Sequence, residues 1–384
     1  MKIGMVAGEA SGDMLAASVL AALNARLVPQ SELLQTAGIG GPAMEKEGFD
    51  SWWASELLAV HGYAAALKVY PKLLAIRRRL ADRLKSWPAR LFVGVDAPDF
   101  NLGLEANLRA GGRVKTLHFV SPSIWAWRRE RIDKIRKSVD RMLLVFPFEE
   151  AIYRDAGIPA IYCGHPLADQ IPMEPDRAAA RRRLGIPEGD TVVAVLPGSR
   201  QGEIAHIGPL FLDTVNLLAQ ENPGWHFLIP AAGEARQQQL AQLLAGREFP
   251  ADVRLLLGQA HLALCACDVT LIASGTATLE AALYKRPMVI AYRMAALSYR
   301  LMKGRGYLPY VGLPNILCGG FVVPEYIQDA ATPVALADAV TRRLDDVAGN
   351  ERLVARFQEI HRELARGCAE RVADAVIAEA AASR

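Results

Sequence analysis

Short apolar runs alternate with longer amphipathic segments along the whole chain. The runs have the length and composition of buried strands, and they are Ile3–Ala7, Leu91–Val95, Val114–Phe119, Arg141–Phe146, Thr191–Leu196, His226–Pro230, Val253–Leu257, Val269–Ala273 and Pro287–Tyr292. Strands that alternate with helical segments form parallel sheets, because each crossover returns the chain to the same edge. The pattern predicts an α/β fold with too many strands for one small doubly wound domain.

The same strand-to-helix unit opens both halves of the chain. Ile3–Ala7 leads into the loop Gly8–Asp13 and a helix, and Thr191–Leu196 leads into Pro197–Arg200 and another helix. Residues 164–190 between them contain several prolines and a short basic segment, which is typical of a linker. We therefore predict two facing Rossmann-like domains that bind ligands at the carboxyl ends of their strands.

The pattern of strands and helices predicts three parts of the sequence. Residues 1–167 form the first predicted domain, and residues 168–345 form the second. Residues 346–384 have a helical, alanine-rich pattern without strands. We expect this tail to pack on the outside or to cross back to the first domain. The oligomeric state is left open, with a homodimer as one expectation.

Composition excludes several classes of protein. A chain of 384 residues that is 52% hydrophobic can build real cores, so it is not disordered. A net charge of +3 gives no indication of nucleic-acid binding. The five cysteines are scattered without zinc-finger spacing, so we expect reduced thiols in a cytosolic protein. Neither a signal peptide nor a membrane-spanning helix is predicted, since polar residues interrupt even the longest apolar stretch, Leu255–Ala273.

The strongest local signal follows the first strand of the second half. Gly198 and Ser199 stand at the start of a predicted helix, where backbone N–H groups can bind an anion. Arg200 adds a guanidinium that can bind a phosphate through two hydrogen bonds. A structural turn with an exposed arginine would have the same sequence.

A second loop of small polar residues follows Val269–Ala273. Ser274, Gly275 and Thr276 can hold a phosphate through N–H groups and hydroxyls, although they can also simply cap the helix. Glu280 lies one turn into that helix, where its carboxylate can accept hydrogen bonds from the two hydroxyls of a ribose. The two loops together predict a nucleoside-diphosphate site. No metal motif accompanies them, so we predict neither metal nor cofactor.

Two loops of the first half carry acidic residues at strand ends. Glu9 and Ser11 lie in a loop that can bind a sugar or acceptor but equally fits a capped turn; its glycine spacing is not that of a dinucleotide site. Asp96 and Asp99 follow Leu91–Val95, where a carboxylate can take a proton from a sugar hydroxyl. Asp99 is as well explained as a helix cap.

The segment from Trp52 to Leu80 is apolar with arginines at one end. It fits a surface element that dips into lipid while its arginines meet phosphates. An ordinary core helix with a basic face explains the same composition, and composition alone favours that explanation. The residues predicted to contact membrane or acyl chains are Trp52, Trp53, Tyr63, Leu67, Leu73 and Leu74.

Taken together, these motifs resemble the lipid-A-disaccharide synthase family. They occur in family order, and they are Gly8–Asp13, Gly94–Asn101, Ser121–Trp127, Gly164–Pro166, Leu196–Glu203, Ser274–Glu280 and Leu313–Asn315. The resemblance implies a GT-B fold and an inverting transfer from UDP-2,3-diacylglucosamine to the 6-hydroxyl of 2,3-diacylglucosamine 1-phosphate, which gives the lipid A disaccharide 1-phosphate and UDP. It also implies a cytoplasmic protein associated peripherally with the cytoplasmic face of the inner membrane, which raises the membrane reading of Trp52–Leu80 above a core helix.

The resemblance assigns roles to residues of both halves. It makes Asp96 the base, with Asp99 as second choice, and gives Glu9 and Ser11 to the acceptor or sugar. In the second half, the diphosphate is assigned to Arg200 and the Ser274–Thr276 loop, the ribose to Glu280, and the lining of the nucleotide pocket to Asn315.

Three other functions share parts of this pattern. A UDP-N-acetylglucosamine 2-epimerase would have the same two domains and UDP-sugar pocket, but it would need no lipid surface. Another lipid-linked UDP-sugar transferase would differ in its acceptor. A nucleotide-sugar-binding protein without activity would have no use for Asp96 at a strand end.

Overall fold

The computed structural model describes residues 1–27, 33–58, 63–295, 299–300, 304 and 306–382, and for side chains it also leaves out residues 56 and 63–69. The chain divides into two compact units. The first comprises Met1–Asp169 and Leu364–Arg384, and the second comprises Gln170–Glu363.

A parallel sheet of seven strands forms the centre of the first unit. Its strands are β1 (Lys2–Ala7), β2 (Gln35–Gly40), β3 (Asp50–Ala54), β4 (Leu91–Val95), β5 (Lys115–Phe119), β6 (Arg141–Leu144) and β7 (Ala160–Tyr162). They lie in the order β3-β2-β1-β4-β5-β6-β7, and every neighbouring pair is parallel. Buried leucines of the helices cover the sheet; Leu80, Leu84, Leu104 and Leu108 share a core cluster with Phe92.

The helices of the first unit connect these strands. They are α1 (Glu9–Leu27), α2 (Pro42–Lys46), α3 (Tyr63–Ser86), α4 (Pro98–Ala110), α5 (Arg131–Ser138), α6 (Glu149–Asp155) and α7 (Pro166–Gln170), with a 3-10 turn at Ser55–Leu57. The buried carboxylate of Asp13 accepts hydrogen bonds from Gly41 N, Ala43 N and Met44 N, and thereby satisfies the first N–H groups of α2. Asp13 therefore serves the fold rather than a ligand.

The second unit is built on a parallel sheet of six strands. These are β8 (Val192–Leu196), β9 (His226–Ala231), β10 (Asp252–Leu257), β11 (Val269–Ala273), β12 (Met288–Tyr292) and β13 (Glu325–Ile327), in the order β10-β9-β8-β11-β12-β13. Its described helices are α8 (Arg177–Leu184), α9 (Gln201–Glu221), α10 (Glu234–Leu244), α11 (Ala260–Ala266), α12 (Thr276–Leu283), α13 (Leu313–Cys318), α14 (Pro333–Asp345) and α15 (Val347–Leu364), with a 3-10 turn at Gln328–Ala330.

The last helix, α16 (Cys368–Ala382), belongs to the first unit. Arg26 of α1 forms an ion pair with Asp374 at 2.6 Å, and Arg141 of β6 forms one with Glu379 at 2.5 Å. Asp169 accepts hydrogen bonds from the backbone N–H groups that begin the helix. The residues predicted as one tail thus lie in two units, with 346–363 in the second.

The α/β class and the strands expected from the hydrophobic pattern are confirmed, with boundaries that move by one or two residues. Four strands were missed: β2, β3, β7 and β13. β2 has the sequence Gln-Thr-Ala-Gly-Ile-Gly and β3 begins Asp-Ser, while β7 and β13 have three residues each. Glycine, polar and very short segments give no periodic apolar signal, so only sheet pairing identifies them.

A buried arginine ties together three segments of the second unit. Arg181 of α8 is 1% exposed, and its Nε donates to Ala266 O at 3.0 Å. Its Nη1 donates to three carbonyl oxygens of residues 187–190, and its Nη2 pairs with Asp268 Oδ2 at 2.7 Å. The same Asp268 oxygen accepts the N–H of Val192 at the start of β8. The Arg181 guanidinium thus holds together the residues that precede β8 and β11.

Replacing Arg181 with Met should lower the free energy of unfolding by about 3–5 kcal/mol, because buried acceptors lose their donor. The measurement is equilibrium denaturation in urea. Arg182→Met is the matched control, since Arg182 is the next residue of the same helix and is exposed. Equal stability of the two variants would show that the Arg181 network contributes nothing.

Candidate functional site

A cavity of about 680 Å³ lies at the carboxyl ends of the strands of the second sheet. The loops that follow β8, β9, β10 and β11 line it, and all of its lining residues belong to the second unit. Parallel strands all deliver their following loops to the same edge, which is why these distant segments meet. Its volume is in the range of sites for small molecules and cofactors.

The loop after β8 places Arg200 at the cavity. Gly198 has φ +106°, and a Cβ there would lie 2.7 Å from Glu203 Oε2. That carboxylate oxygen accepts the N–H groups of Ser199 and Arg200, both at 3.2 Å. The N–H group of Ser199, which the sequence predicted to be available to an anion, is therefore engaged by Glu203. The Arg200 guanidinium is 75% exposed, and its Nη1 lies 3.6 Å from Glu203 Oε1.

The loop after β11 brings Ser274, Gly275 and Thr276 to the same cavity. Gly275 has φ +139°, a conformation that other residues rarely adopt, and α12 begins at the next residue. Ser274 Oγ donates to Val311 O at 3.0 Å, which fixes the loop against the segment before α13. Thr276 and Ala277, the first two residues of α12, also line the cavity.

Glu280 lies in α12 and lines the cavity together with His261. His261 Nε2 is 3.7 Å from Glu280 Oε2. Burial raises the pKa of Glu280, and the neighbouring His261 opposes that rise. His261 and Gln259, which follow β10, were not identified from the sequence, because their segment lacks the glycine-rich or small polar pattern of the other two loops.

Asn315 does not line this cavity. It is fully buried in α13, and its Nδ2 donates to Val323 O and Glu325 Oε1, at 2.9 and 2.8 Å. Its Oδ1 accepts the N–H groups of Val322 and Val323. Glu325 in turn accepts the N–H groups of Val311 and Gly312. Asn315 is therefore connected to the cavity only indirectly: it bonds Glu325, which bonds Val311, and Val311 in turn bonds Ser274.

In the first unit, a strained loop places Asp96 at the carboxyl end of β4. Asp96 and Ala97 have φ of 50° and 44°, an uncommon conformation for residues with a side chain. Asp96 N donates to Phe119 O at 2.8 Å, and Asn101 Nδ2 donates to Asp96 O at 2.8 Å. Burial raises the pKa of the Asp96 carboxyl, a charged His118 lowers it, and Glu9 raises it further. The pKa of this half-buried carboxyl thus depends on both burial and the two neighbouring charged groups.

The structure separates the two candidate bases. The Asp99 side chain is 84% exposed and forms an ion pair with Arg131 at 3.0 Å. The loop that carries Glu9 approaches the Asp96 loop, because a Cβ on Gly8 would come within 3.2 Å of the Ala97 Cβ. Ser11 is exposed at the start of α1. Of the two aspartates, Asp96 is thus the more buried.

The predicted membrane residues have mixed surroundings. Trp52 is half-buried, with its ring 5.4 Å from that of Trp87 and the Arg83 guanidinium 4.0 Å from its centroid. Both tryptophans pack against the core cluster of the first unit that contains Phe92. Leu73 and Leu74 are half-buried in α3. The side chains of Tyr63 and Leu67 lie outside the described residues. In the described part of the chain, no helix has both the length and the apolar character that a membrane crossing requires.

The described residues contain no group of three or more His, Cys, Asp or Glu side chains arranged to hold a metal ion. The five cysteines are free thiols.

The matching family model and the similar curated sequences agree on one family. The model of a family described as lipid-A-disaccharide synthetase matches residues 3–377. The chain is 53% identical to the lipid-A-disaccharide synthase of an Azoarcus species, over 98% of this chain and 95% of that protein. The corresponding protein of Chromobacterium violaceum is 51% identical, over 98% and 97%. That of Pseudomonas aeruginosa is 50% identical, also over 98% and 97%.

Solved structures resemble the fold at low sequence identity. The UDP-GlcNAc 2-epimerase of Neisseria meningitidis bound to UDP-GlcNAc has a TM-score of 0.62 and 11% identity, with both chains fully covered. Anabaena HepE in complex with UDP-glucose has a TM-score of 0.55 and 14% identity, over 99% and 100%. The lipopolysaccharide glycosyltransferase WaaG has 0.54 and 14%, over 98% and 99%. These likenesses confirm the GT-B fold, and since they include an epimerase, the fold alone does not choose the reaction.

Proposed function

Because the chain belongs to the lipid-A-disaccharide synthetase family and is a glycosyltransferase of lipid A biosynthesis, we propose that it uses UDP-2,3-diacylglucosamine as donor. It transfers 2,3-diacylglucosamine to the 6-hydroxyl of 2,3-diacylglucosamine 1-phosphate. The products are the β-1,6-linked disaccharide 1-phosphate and UDP. The reaction is a single displacement with inversion at the anomeric carbon.

The observation that carries this proposal is the half-buried Asp96 carboxyl at the end of β4. In its ionised form Asp96 accepts the proton of the 6-hydroxyl as the hydroxyl oxygen attacks the anomeric carbon. The bond from that carbon to the diphosphate breaks, and its electron pair leaves with UDP. Partial burial makes the carboxylate a stronger base than one in water, because it loses hydration.

The cavity of the second unit is assigned to the UDP part of the donor. The exposed Arg200 guanidinium can bind the diphosphate and neutralise the charge that develops on leaving UDP. The N-terminus of α12, after Gly275, adds backbone donors. Glu280 can accept the ribose hydroxyls, which suits a carboxylate inside the cavity. Asn315 supports this site through Glu325 and the segment at Val311.

The exposed side of α3 is assigned to the membrane surface. Lys72, Arg78 and Arg79 are exposed there, and Tyr70 is 55% exposed. Basic side chains of this kind attract anionic headgroups, and both proposed substrates carry acyl chains that lie in lipid. We therefore assign the enzyme to the cytoplasmic face of the inner membrane as a peripheral protein.

The proposed transfer is tested by UDP release. UDP should appear from UDP-2,3-diacylglucosamine only when 2,3-diacylglucosamine 1-phosphate is present, because the acceptor hydroxyl is the nucleophile. A coupled UDP assay in excess EDTA measures this. Turnover of the donor without the acceptor would indicate an isomerase instead. UDP binding without any release would require a different donor or acceptor.

A substitution at Asp96 in the first unit should lower kcat, and one at Arg200 in the second unit should lower UDP affinity. Asp96→Asn should lower kcat roughly 10²–10⁴-fold with nearly unchanged UDP affinity, because it removes the base alone. Arg200→Ala should instead weaken UDP binding, which isothermal titration measures. Asp99→Asn is the matched control for Asp96, since Asp99 is exposed and paired with Arg131. If Asp99→Asn reduces kcat as much as Asp96→Asn does, the base has been misassigned.

Reversing the charge of exposed arginines should show whether α3, rather than another basic surface, binds the membrane. The double variant Arg78→Glu/Arg79→Glu should lose sedimentation with anionic phospholipid vesicles, because headgroup attraction becomes repulsion. The control is Arg182→Glu/Arg183→Glu, which reverses two exposed arginines of α8. Equal sedimentation of both variants would exclude α3 as the contact.

A further inference from the structure

A completely buried Glu–His pair lies behind the loop that carries Asp96. Glu105 of α4 and His118 of β5 are both 0% exposed, and Glu105 Oε1 is 2.7 Å from His118 Nδ1. Burying ionisable groups costs hydration energy, and apolar residues of similar volume usually stabilise a core at least as well. Stability alone therefore gives little reason for this pair.

The chain makes room for the pair at Gly94. Gly94 of β4 is the register partner of His118 in β5, and a Cβ there would lie 2.2 Å from Glu105 Oε1. One turn before Glu105, on the same face of α4, Asn101 donates to the main-chain oxygen of Asp96. The pair and the Asp96 loop thus share one layer between α4 and the sheet.

The pair and Asp96 are coupled electrostatically. Burial opposes a charge on His118, but Glu105 and Asp96 together raise the pKa of the imidazole. Burial raises the pKa of Asp96; a charged His118 opposes that rise, and Glu9 adds to it. Burial raises the pKa of Glu105, while His118 and, more weakly, Lys134 of α5 oppose that rise. Among the described groups, none meets His118 Nε2 in hydrogen-bonding geometry.

We propose that Glu105 and His118 are a positioning pair for Asp96: Glu105 holds the His118 ring as an imidazolium, whose positive charge keeps Asp96 an ionised base. The proposal rests on the role of Asp96 in the proposed function. The proton of the acceptor hydroxyl goes to Asp96, and the pair neither gains nor loses a proton during transfer. The pair thus acts on the reaction only through the charge state of Asp96.

The test is the pH profile of kcat for Glu105→Gln and His118→Gln. Both remove the imidazolium, so Asp96 stays protonated to higher pH. At about pH 6 we expect roughly a tenfold loss of kcat, which shrinks as the pH rises because the acid limb of the profile has moved upward. UDP affinity should not change, since the nucleotide cavity lies in the other unit.

Thr116→Val is the matched control for loss of a buried polar group. Thr116 is fully buried two residues before His118 on the same strand, and its Oγ1 donates to Ser138 O. We expect this variant to lose thermal stability without moving the acid limb. An acid limb that stays in place in folded Glu105→Gln and His118→Gln would overturn the pairing. If the limb moves equally in Thr116→Val, the effect is structural, which also overturns it.

A second measurement serves if the pair variants do not fold. NMR titration of histidine-labelled protein should show one buried histidine that is charged at neutral pH, and Asp96→Asn should lower its pKa because a neighbouring negative charge is removed. No such response would overturn the pairing. Full turnover by Asp96→Asn would instead remove Asp96 as the base, so failure of the proposed function is distinguishable from failure of the pair.

Discussion

Parallel pairing of strands is the constraint on which both candidate sites depend. In a parallel sheet every strand ends at the same edge, so the loops that follow distant strands are brought together there. The chain changes direction in those loops, and several non-glycine residues adopt left-handed backbone within two residues of a strand end: Glu9, Asp96, Ala97, Val120, Gln259 and Gln328. Each such conformation costs on the order of 1–3 kcal/mol, which the ladders and cores behind the loops have to offset.

Two buried ionic clusters illustrate how structural and chemical roles differ. Arg181 donates hydrogen bonds to four backbone carbonyls and to the carboxylate of Asp268, so all of these bonds stabilise the fold itself. Glu105 and His118 bond to each other, while Glu105 Oε2 and His118 Nε2 have no hydrogen-bond partner among the described groups. The hydrogen bonds of Arg181 are thus accounted for by the backbone and the carboxylate that it holds. Glu105 and His118 leave two buried polar atoms unbonded close to a strand end, and such pairs are more often found at functional sites.

Local pattern predicted the fold class and the loops of the second cavity, because strand-end position follows from burial and helix starts. Arg200, Gly275 and Glu280, which were named on that basis, all line one cavity at the edge of the second sheet. Pattern could not show that Glu203 engages the N–H groups of its loop, since that depends on a side-chain conformation. Asn315 was expected in the cavity but is held by residues 322–325. Such pairings, like that of Glu105 with His118, depend on three-dimensional packing that periodicity does not encode.

A general base in a glycosyltransferase faces two opposing demands. Removal of water strengthens a carboxylate as a base, yet the same removal favours its neutral form, which cannot accept a proton. At Asp96 burial and Glu9 both act toward the neutral form. A solvent-exposed cation would be screened and would contribute little, whereas a cation fixed inside the same layer acts at low dielectric. A buried imidazolium held by its own carboxylate meets both demands, because it restores the charge of Asp96 without rehydrating it.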